Sequence, residues 1–320
     1  MAAVDAQCAG SQAVYEQRFA ADKTTLSILL DDILARHHGA VQVLGAIFYG
    51  SCLRRKGIAT GLVDLYLIVE NHRVPYASRW QRLLNVLLPP NVHYHETRLE
   101  DGRKIRCKYA IFSLSAYETG CSRWFHSYLY ARMAQPVVLL RCRDEEIHAR
   151  LGRGLAAAVC RLHAETLPLM TGTFSCRELW RKALILTYGC ELRAESMSSW
   201  IETLLDDVEP HCEQLTAVFM HEYADLFAIE STSGNLWRAT MGADSVCRFS
   251  WSVRKYQGKL LSAARLIKGL ATFSCGVDYI ADKLERHSGR KVEFSDRERR
   301  WPLIFIWKKL WQLYRKGFFG

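Results

Sequence analysis

Between Ala46 and Glu70 the chain reads A-I-F-Y-G-S-C-L-R-R-K-G-I-A-T-G-L-V-D-L-Y-L-I-V-E. Residues of three kinds in this stretch suit a polyphosphate. Gly50-Ser51 follows an apolar run and makes a small turn, whose backbone N–H groups can approach phosphate oxygens because glycine leaves room for them. Asp64 sits inside the next apolar run, where a carboxylate can hold the Mg²⁺ that offsets phosphate charge. Arg54, Arg55 and Lys56 lie between the two. This is the residue set a nucleotidyl-transfer site uses. Strand alternation puts Asp64 and Tyr66 on one face, and Tyr66 stands where a second metal-binding Asp is often found. Glu70 is six residues on, about 20 Å along a straight strand, too far to share a metal. Glu96 is a candidate for a second ligand from elsewhere, against the plainer reading of an exposed strand Glu.

These residues need strands to carry them. Val41–Tyr49 and Leu62–Val69 read as buried strands on either side of the turn. Val92–Leu99 and Lys104–Leu114 flank Glu100-Asp101-Gly102 and predict a hairpin. In its second arm Ile105, Cys107, Tyr109 and Ile111 form one face, and Arg106, Lys108 and Ala110 the other. If that open face meets Asp64, Lys108 points into the same cleft. His93 and His95 share a strand face, but no third residue completes a metal site. Residues 1–21 read as a loose lead-in, followed by a helix over Leu26–Ala35 that His37-His38 closes. Ser78–Leu88 and Ser122–Met133 have helical spacing, and Val137–Leu140 reads as a short strand. From Asp144 the pattern turns helical, over 144–164, 174–194, 198–206 and 210–229, with Ser175 and Glu178 placed as a capping box. Glu230–Ser245 reads as a loop.

The class expected is therefore α+β: a mixed sheet with helices over residues 1–143, a helical unit over 144–245, and a basic amphipathic segment over 246–320. The chain has 320 residues and a formal net charge of +10, an excess that favours an anionic partner. Its 11 cysteines form no C-x-x-C pair, which fits reduced thiols better than a disulfide framework. Met1–Ala21 holds Asp5 and Glu16 and has no apolar core, so no secretion signal is expected. No apolar run reaches the roughly 18 residues that span a bilayer.

On a helical wheel of Lys255–Ala271, Tyr256, Leu260, Ala263, Ala264, Ile267, Leu270 and Ala271 fall on one side, with Lys255, Lys259, Arg265 and Lys268 around the rest. Trp301–Phe319 mixes aromatics, among them Trp307 and Trp311, with Lys308, Lys309, Arg315 and Lys316. Both stretches have the composition of contacts with an anionic membrane surface, and the first equally suits an ordinary core-packing helix with a solvated basic side.

Ordered blocks along residues 40–275 carry a family resemblance. They are Phe48-Tyr49-Gly50-Ser51, Val63-Asp64-Leu65, Lys108-Tyr109 before Ser113, and Trp124. Leu129-Tyr130-Ala131-Arg132-Met133 with Gln135-Pro136-Val137 follows, then Leu167-Pro168 before Phe174-Ser175, and Leu186-Thr187-Tyr188 with Glu191 and Arg193. Weaker matches lie at Val253-Arg254 and Lys268-Gly269. In these the chain resembles the phosphatidate cytidylyltransferases known as mitochondrial inner-membrane maintenance proteins, which have bacterial relatives. The resemblance implies a nucleotidyltransferase-like domain, a winged-helix-like helical domain and a C-terminal segment that touches the membrane. It implies CTP and phosphatidic acid as substrates, Mg²⁺ as cofactor, and CDP-diacylglycerol and pyrophosphate as products. It makes the protein peripheral to the membrane, on the cytoplasmic or matrix face, with no nucleic-acid partner. Asp64 and Lys108 become the catalytic pair, Asp64 also the metal ligand, and Tyr49, Gly50, Ser51 and Arg132 the nucleotide-binding residues. The rival classes are an RNA or nucleotide transferase of the same fold and a non-catalytic membrane scaffold.

Overall fold

The computed structural model describes residues 1–36, 43–54, 57–58, 61–70, 88–191, 197–227, 229–231, 236–239, 245–272 and 295. The expectations for His37-His38, Arg55, Lys56, nearly all of the Ser78–Leu88 helix, Arg193 and the tail with Trp307 and Trp311 lie outside the described residues.

The chain is mixed α+β. Five strands, β1 (Val43–Tyr49), β2 (Leu62–Val69), β3 (Val92–Arg98), β4 (Lys104–Ser113) and β5 (Val138–Cys142), form one sheet in the order β3-β4-β2-β1-β5. β1 runs antiparallel to β2 and β5, and β3 antiparallel to β4, while β2 and β4 are parallel. The hairpin between β3 and β4 turns at Gly102, whose φ of +82° suits glycine.

Period-two alternation divides the sheet's side chains between two cores. Val63, Leu65, Leu67, Ile105, Cys107, Tyr109 and Ile111 pack on the first side with Leu26, Leu29, Leu30 and Ile33 of the Lys23–Arg36 helix. Tyr66, Ile68, Ala110 and Phe112 pack on the second side with the helices Leu114–Ser122, Glu145–Thr166, Cys176–Tyr188 and Met197–Glu222. Asp64, even-numbered like Tyr66 and Ile68, faces this second, helical side.

Local signals set the helix starts. Asp144 caps the Glu145–Thr166 helix by accepting from the Ile147 N–H at 2.8 Å. Ser175 and Glu178 form the expected capping box at the start of Cys176–Tyr188.

Several expectations are corrected. Residues 1–21 are not a loose lead-in: Ala2–Arg18 is a helix that buries Val4, Cys8, Ser11, Gln12 and Tyr15. Its inward face is largely small or polar, so hydrophobic spacing does not announce it. The hydroxyl of Ser11 lies 2.5 Å from His211 Nδ1, tying the helix to Met197–Glu222. Ser122–Met133 is not one helix. Leu114–Ser122 ends there, and the chain is irregular until the short Tyr130–Met133 helix. The two helices expected over 198–206 and 210–229 are one helix, Met197–Glu222, that runs through Pro210, followed by the short Ala224–Phe227 helix. The expected loop over 230–245 carries strands β7 (Ile229–Ser231) and β8 (Leu236–Ala239), which join β6 (Thr173–Ser175) in a second sheet ordered β6-β8-β7. The last described helix, Ser245–Thr272, begins ten residues before the expected one.

Candidate active site

β1 ends at Tyr49 and the chain turns at Gly50, where φ is +93°. A Cβ built on Gly50 would lie 2.6 Å from Asp64 Oδ2, so only glycine lets the turn sit against this carboxylate. Ser51 opens the one-turn helix Ser51–Arg54. In the β1–β2 ladder Tyr49 is opposite Asp64, and in the parallel β2–β4 ladder Asp64 is opposite Lys108. Lys108 Nζ lies 3.4 Å from Asp64 Oδ1.

These residues line one cavity of about 250 Å³, formed by Tyr49, Gly50, Ser51, Arg54, Asp64 and Lys108 from the sheet side and by Arg132, Gln135, Pro136, Tyr188 and Trp200 from the helical side. The six residues that the sequence assigns to catalysis and nucleotide binding are thus together, although they come from separate segments of the chain. Among the described residues three cations and one carboxylate line the space, a balance suited to a polyanion.

Arg132 is held by a carbonyl, a carboxylate and an aromatic ring. Its Nη1 donates to Tyr128 O at 2.6 Å and its Nη2 pairs with Glu191 Oε1 at 2.6 Å. Its guanidinium also lies 4.2 Å from the centre of the Tyr128 ring. Burial works against the charge, but Glu191 and the surrounding tyrosines outweigh it and hold the guanidinium well above its ordinary pKa. Tyr66 is fully buried behind this wall, its ring 4.3 Å from that of Tyr49. Burial and the neighbouring Tyr128 push its hydroxyl well up. It therefore serves as a neutral packing residue where a second carboxylate was sought.

The thiols near the site are quiet as well. Burial, reinforced by Asp64, pushes Cys52 up to about 11 and Cys107 well above its usual value, which makes both poor nucleophiles.

The other sequence candidates separate from this site. Glu96 pairs with Lys104 at 3.1 Å and does not line the cavity. His95 lies on the opposite sheet face, 2.8 Å from Asp32 Oδ2, an oxygen that also accepts from Thr97 at 2.6 Å. His93 stacks on Tyr109 with ring centres 5.1 Å apart. Among the described residues no group of three or more His, Cys, Asp or Glu could hold a metal. A single carboxylate in a cation-lined cavity nonetheless fits Mg²⁺ as nucleotide sites use it, since that ion takes one or two carboxylates and completes its shell with phosphate oxygens and water.

Arg265 and Lys268, expected at a membrane, are turned inward. Arg265 Nε donates to Pro89 O at 3.0 Å, and its guanidinium lies 4.2 Å from the Tyr128 ring centre, on the same aromatic as Arg132. Lys268 is 6% exposed and donates to Leu88 O and Pro90 O. Burial, and then Arg265, bring its ammonium down to about 7. Their long stems carry the charges across to backbone carbonyls and an aromatic face, which a helical wheel does not register. Lys255 and Lys259 remain exposed.

The chain matches no protein-family model and no curated protein. The residues missing from the expected site are Arg54, noted only as part of a basic run, and Trp200. Trp200 opens a helix far along the chain and meets Tyr188 edge-on, with ring centres 4.7 Å apart. Gln135, Pro136 and Tyr188 belong to the blocks that carry the family resemblance, though without an assigned role. Gln135 Nε2 donates to Ala131 O at 2.7 Å and to the Tyr188 hydroxyl at 2.9 Å, which fixes that wall.

Proposed function

We propose that the chain is a nucleotidyltransferase that joins CTP to phosphatidic acid, forming CDP-diacylglycerol and pyrophosphate with Mg²⁺ as cofactor. The observation that carries this reading is the convergence of Tyr49, Gly50, Ser51, Asp64, Lys108 and Arg132 on one cation-rich cavity. These are the residues that the resemblance to the phosphatidate cytidylyltransferases singles out, and the mixed sheet that carries them suits a nucleotidyltransferase-like domain. The helical unit with its three-stranded sheet suits the winged-helix-like domain of that family.

A lipid phosphate monoester has a second pKa of about 6, so it is already anionic near neutral pH and needs no dedicated base. Its oxygen attacks the α-phosphorus of CTP, the bond from the α-phosphorus to the bridging oxygen breaks, and pyrophosphate leaves with the electron pair. Catalysis then consists of alignment and charge stabilisation. Gly50 and Ser51 bring backbone close to the triphosphate. Arg54 and Lys108 offset its charge, and Arg132, kept protonated by Glu191, does so from the helical wall. Asp64 would hold the Mg²⁺, which supplies charge neutralisation on the phosphates when bound. Tyr188, Trp200 and Pro136 offer flat apolar walls of the kind a nucleobase stacks on.

Peripheral membrane contact belongs to the same reading, through Lys255, Lys259 and the tail with Trp307 and Trp311, but no longer through Arg265 or Lys268. None of the helices among the described residues is long and apolar enough to cross a membrane. The test is production of labelled CDP-diacylglycerol from labelled CTP and vesicles containing phosphatidic acid. Wild-type protein with Mg²⁺ should form it, and Asp64→Ala should not. Wild type that forms no product rejects the enzyme; equal product from both rejects only the role of Asp64.

A further inference from the structure

A second cavity, of about 520 Å³, opens between the Cys176–Tyr188 helix and the Ser245–Thr272 helix. Leu169, Leu186 and Trp251 make its apolar side, and Lys182, Arg248 and Lys255 line it with positive charge. Among the described residues no carboxylate lines it. The nearby Glu165 is engaged elsewhere: its Oε1 accepts from Arg254 at 2.6 Å, and its backbone carbonyl accepts from Trp251 Nε1 at 2.9 Å. That last bond, with Trp251 only 4% exposed, makes the indole a fixed wall.

The same helix carries an apolar stripe beside the cavity. Val246, Phe249, Val253, Tyr256 and Leu260 recur at spacings of three and four residues and are 70%, 71%, 39%, 78% and 71% exposed. Phe249, Val253 and Tyr256 each follow a cavity-lining residue, Arg248, Ser252 and Lys255, so the stripe flanks the cavity around the helix. Ile185, between Lys182 and Leu186, is exposed on the facing helix. A continuous exposed apolar strip rimmed by cations marks an interaction surface.

We propose that this cavity receives the phosphodiester headgroup of an anionic phospholipid, in a bilayer against which the stripe lies. The phosphate meets Lys182, Arg248 and Lys255, the glycerol backbone meets Trp251 and Leu169, and the stripe enters the acyl boundary beside it. A second copy of the chain is a poorer occupant. Two-fold pairing along the stripe would bring the Arg248, Lys255 and Lys259 rows of both copies together with no acidic residue lining this side of the helix to offset them. The proposal rests on the membrane contact in the reading above. It goes further in naming the face, the lipid class and a cation, Lys182, that lies outside the amphipathic helix.

The experiment is flotation of the full chain with vesicles of phosphatidylcholine alone and of phosphatidylcholine with phosphatidylglycerol. Wild type should bind the second far better. Lys182→Gln should lower that partitioning about fivefold or more, the worth of one well-placed cation. Lys23→Gln removes the same charge from an exposed site on the Lys23–Arg36 helix and should change it less than about twofold. Phe249→Ser with Leu260→Ser should abolish binding, with thermal unfolding of every variant followed by circular dichroism to exclude misfolding.

Equal losses in the two lysine variants would mean diffuse adsorption, and would reject the headgroup site while keeping the membrane contact. Full binding by the serine variant would reject the stripe as the lipid face. A vesicle-free dimer that the serine variant dissociates would assign the stripe to a second copy and overturn the proposal. Wild type that binds neither vesicle would defeat the membrane contact and this site together, a result separable from the CDP-diacylglycerol assay.

Discussion

The two faces of the five-stranded sheet each hold a carboxylate among polar partners, and of the two it is Asp64 that lines the cation-rich cavity. On the first, Asp32 meets His95 at 2.8 Å and Thr97 at 2.6 Å through the same oxygen, and the cluster lines none of the cavities described above. On the second, Asp64 has Lys108 at 3.4 Å, a glycine turn against its other oxygen and a cavity in front. His95 of the first set and Asp64 of the second both look chemical in sequence. The difference is what the carboxylate faces: Asp32 bonds inward to strand residues, whereas Asp64 is set between cations that come from separate elements.

The largest effect that would break this contrast concerns activity. Asp64→Asn should lower CDP-diacylglycerol formation at least about a hundredfold with little change in melting temperature, measured by the labelled-CTP assay and circular dichroism. An undiminished rate would make the two carboxylates equivalent.

Next in size is the acid response of the helical side that closes over Asp64. Burial holds His163 and His211 down at about 4, against about 6.5 in an unfolded chain. The unfolded state therefore binds more protons between these values. Stability is complete above pH 6.5 and falls as the pH drops toward 4, by up to about 3 kcal/mol for each histidine. Denaturant titrations across this range should show it, and His163→Phe should flatten the slope.

Gly50→Ala should cost about 2 kcal/mol of stability, because a left-handed φ and a close approach to Asp64 Oδ2 both oppose a side chain. It should also lower activity, which the same two assays read together. Smallest is Asp32→Asn, which keeps the shape while weakening the bonds to His95 and Thr97. About 1 kcal/mol of stability should go, with the rate of CDP-diacylglycerol formation unchanged.

Sequence made the sheet side of the site legible. Period-two alternation in β4 separates Ile105, Cys107, Tyr109 and Ile111 from Lys108, and the Gly-Ser turn between two apolar runs locates Gly50 against Asp64. These are local signals, read within a few residues. The parallel pairing of β2 with β4 is not local, so the meeting of Asp64 and Lys108 could be written only as a condition. Trp200 is invisible for the same reason: nothing near it in sequence distinguishes a cavity wall from a core residue. The Ser245–Thr272 helix shows a different limit. Its periodicity gives the helix, but Arg265 and Lys268 find the Tyr128 ring and the carbonyls of Leu88, Pro89 and Pro90, partners far away in the chain that a wheel cannot contain. The N-terminal helix escapes because Cys8, Ser11 and Gln12 do the burying there.

The pairing of β2 with β4 carries one further consequence. Asp64 and Lys108 are each flanked in their strands by residues of the opposite core, Val63 and Leu65 on one strand and Cys107 and Tyr109 on the other. Sliding either strand by a single position would drive a charged side chain into a layer built from leucine, isoleucine and valine. The groups that make the pocket polar thus also penalise a one-position misalignment of the sheet, and proofread the facing on which their own meeting depends.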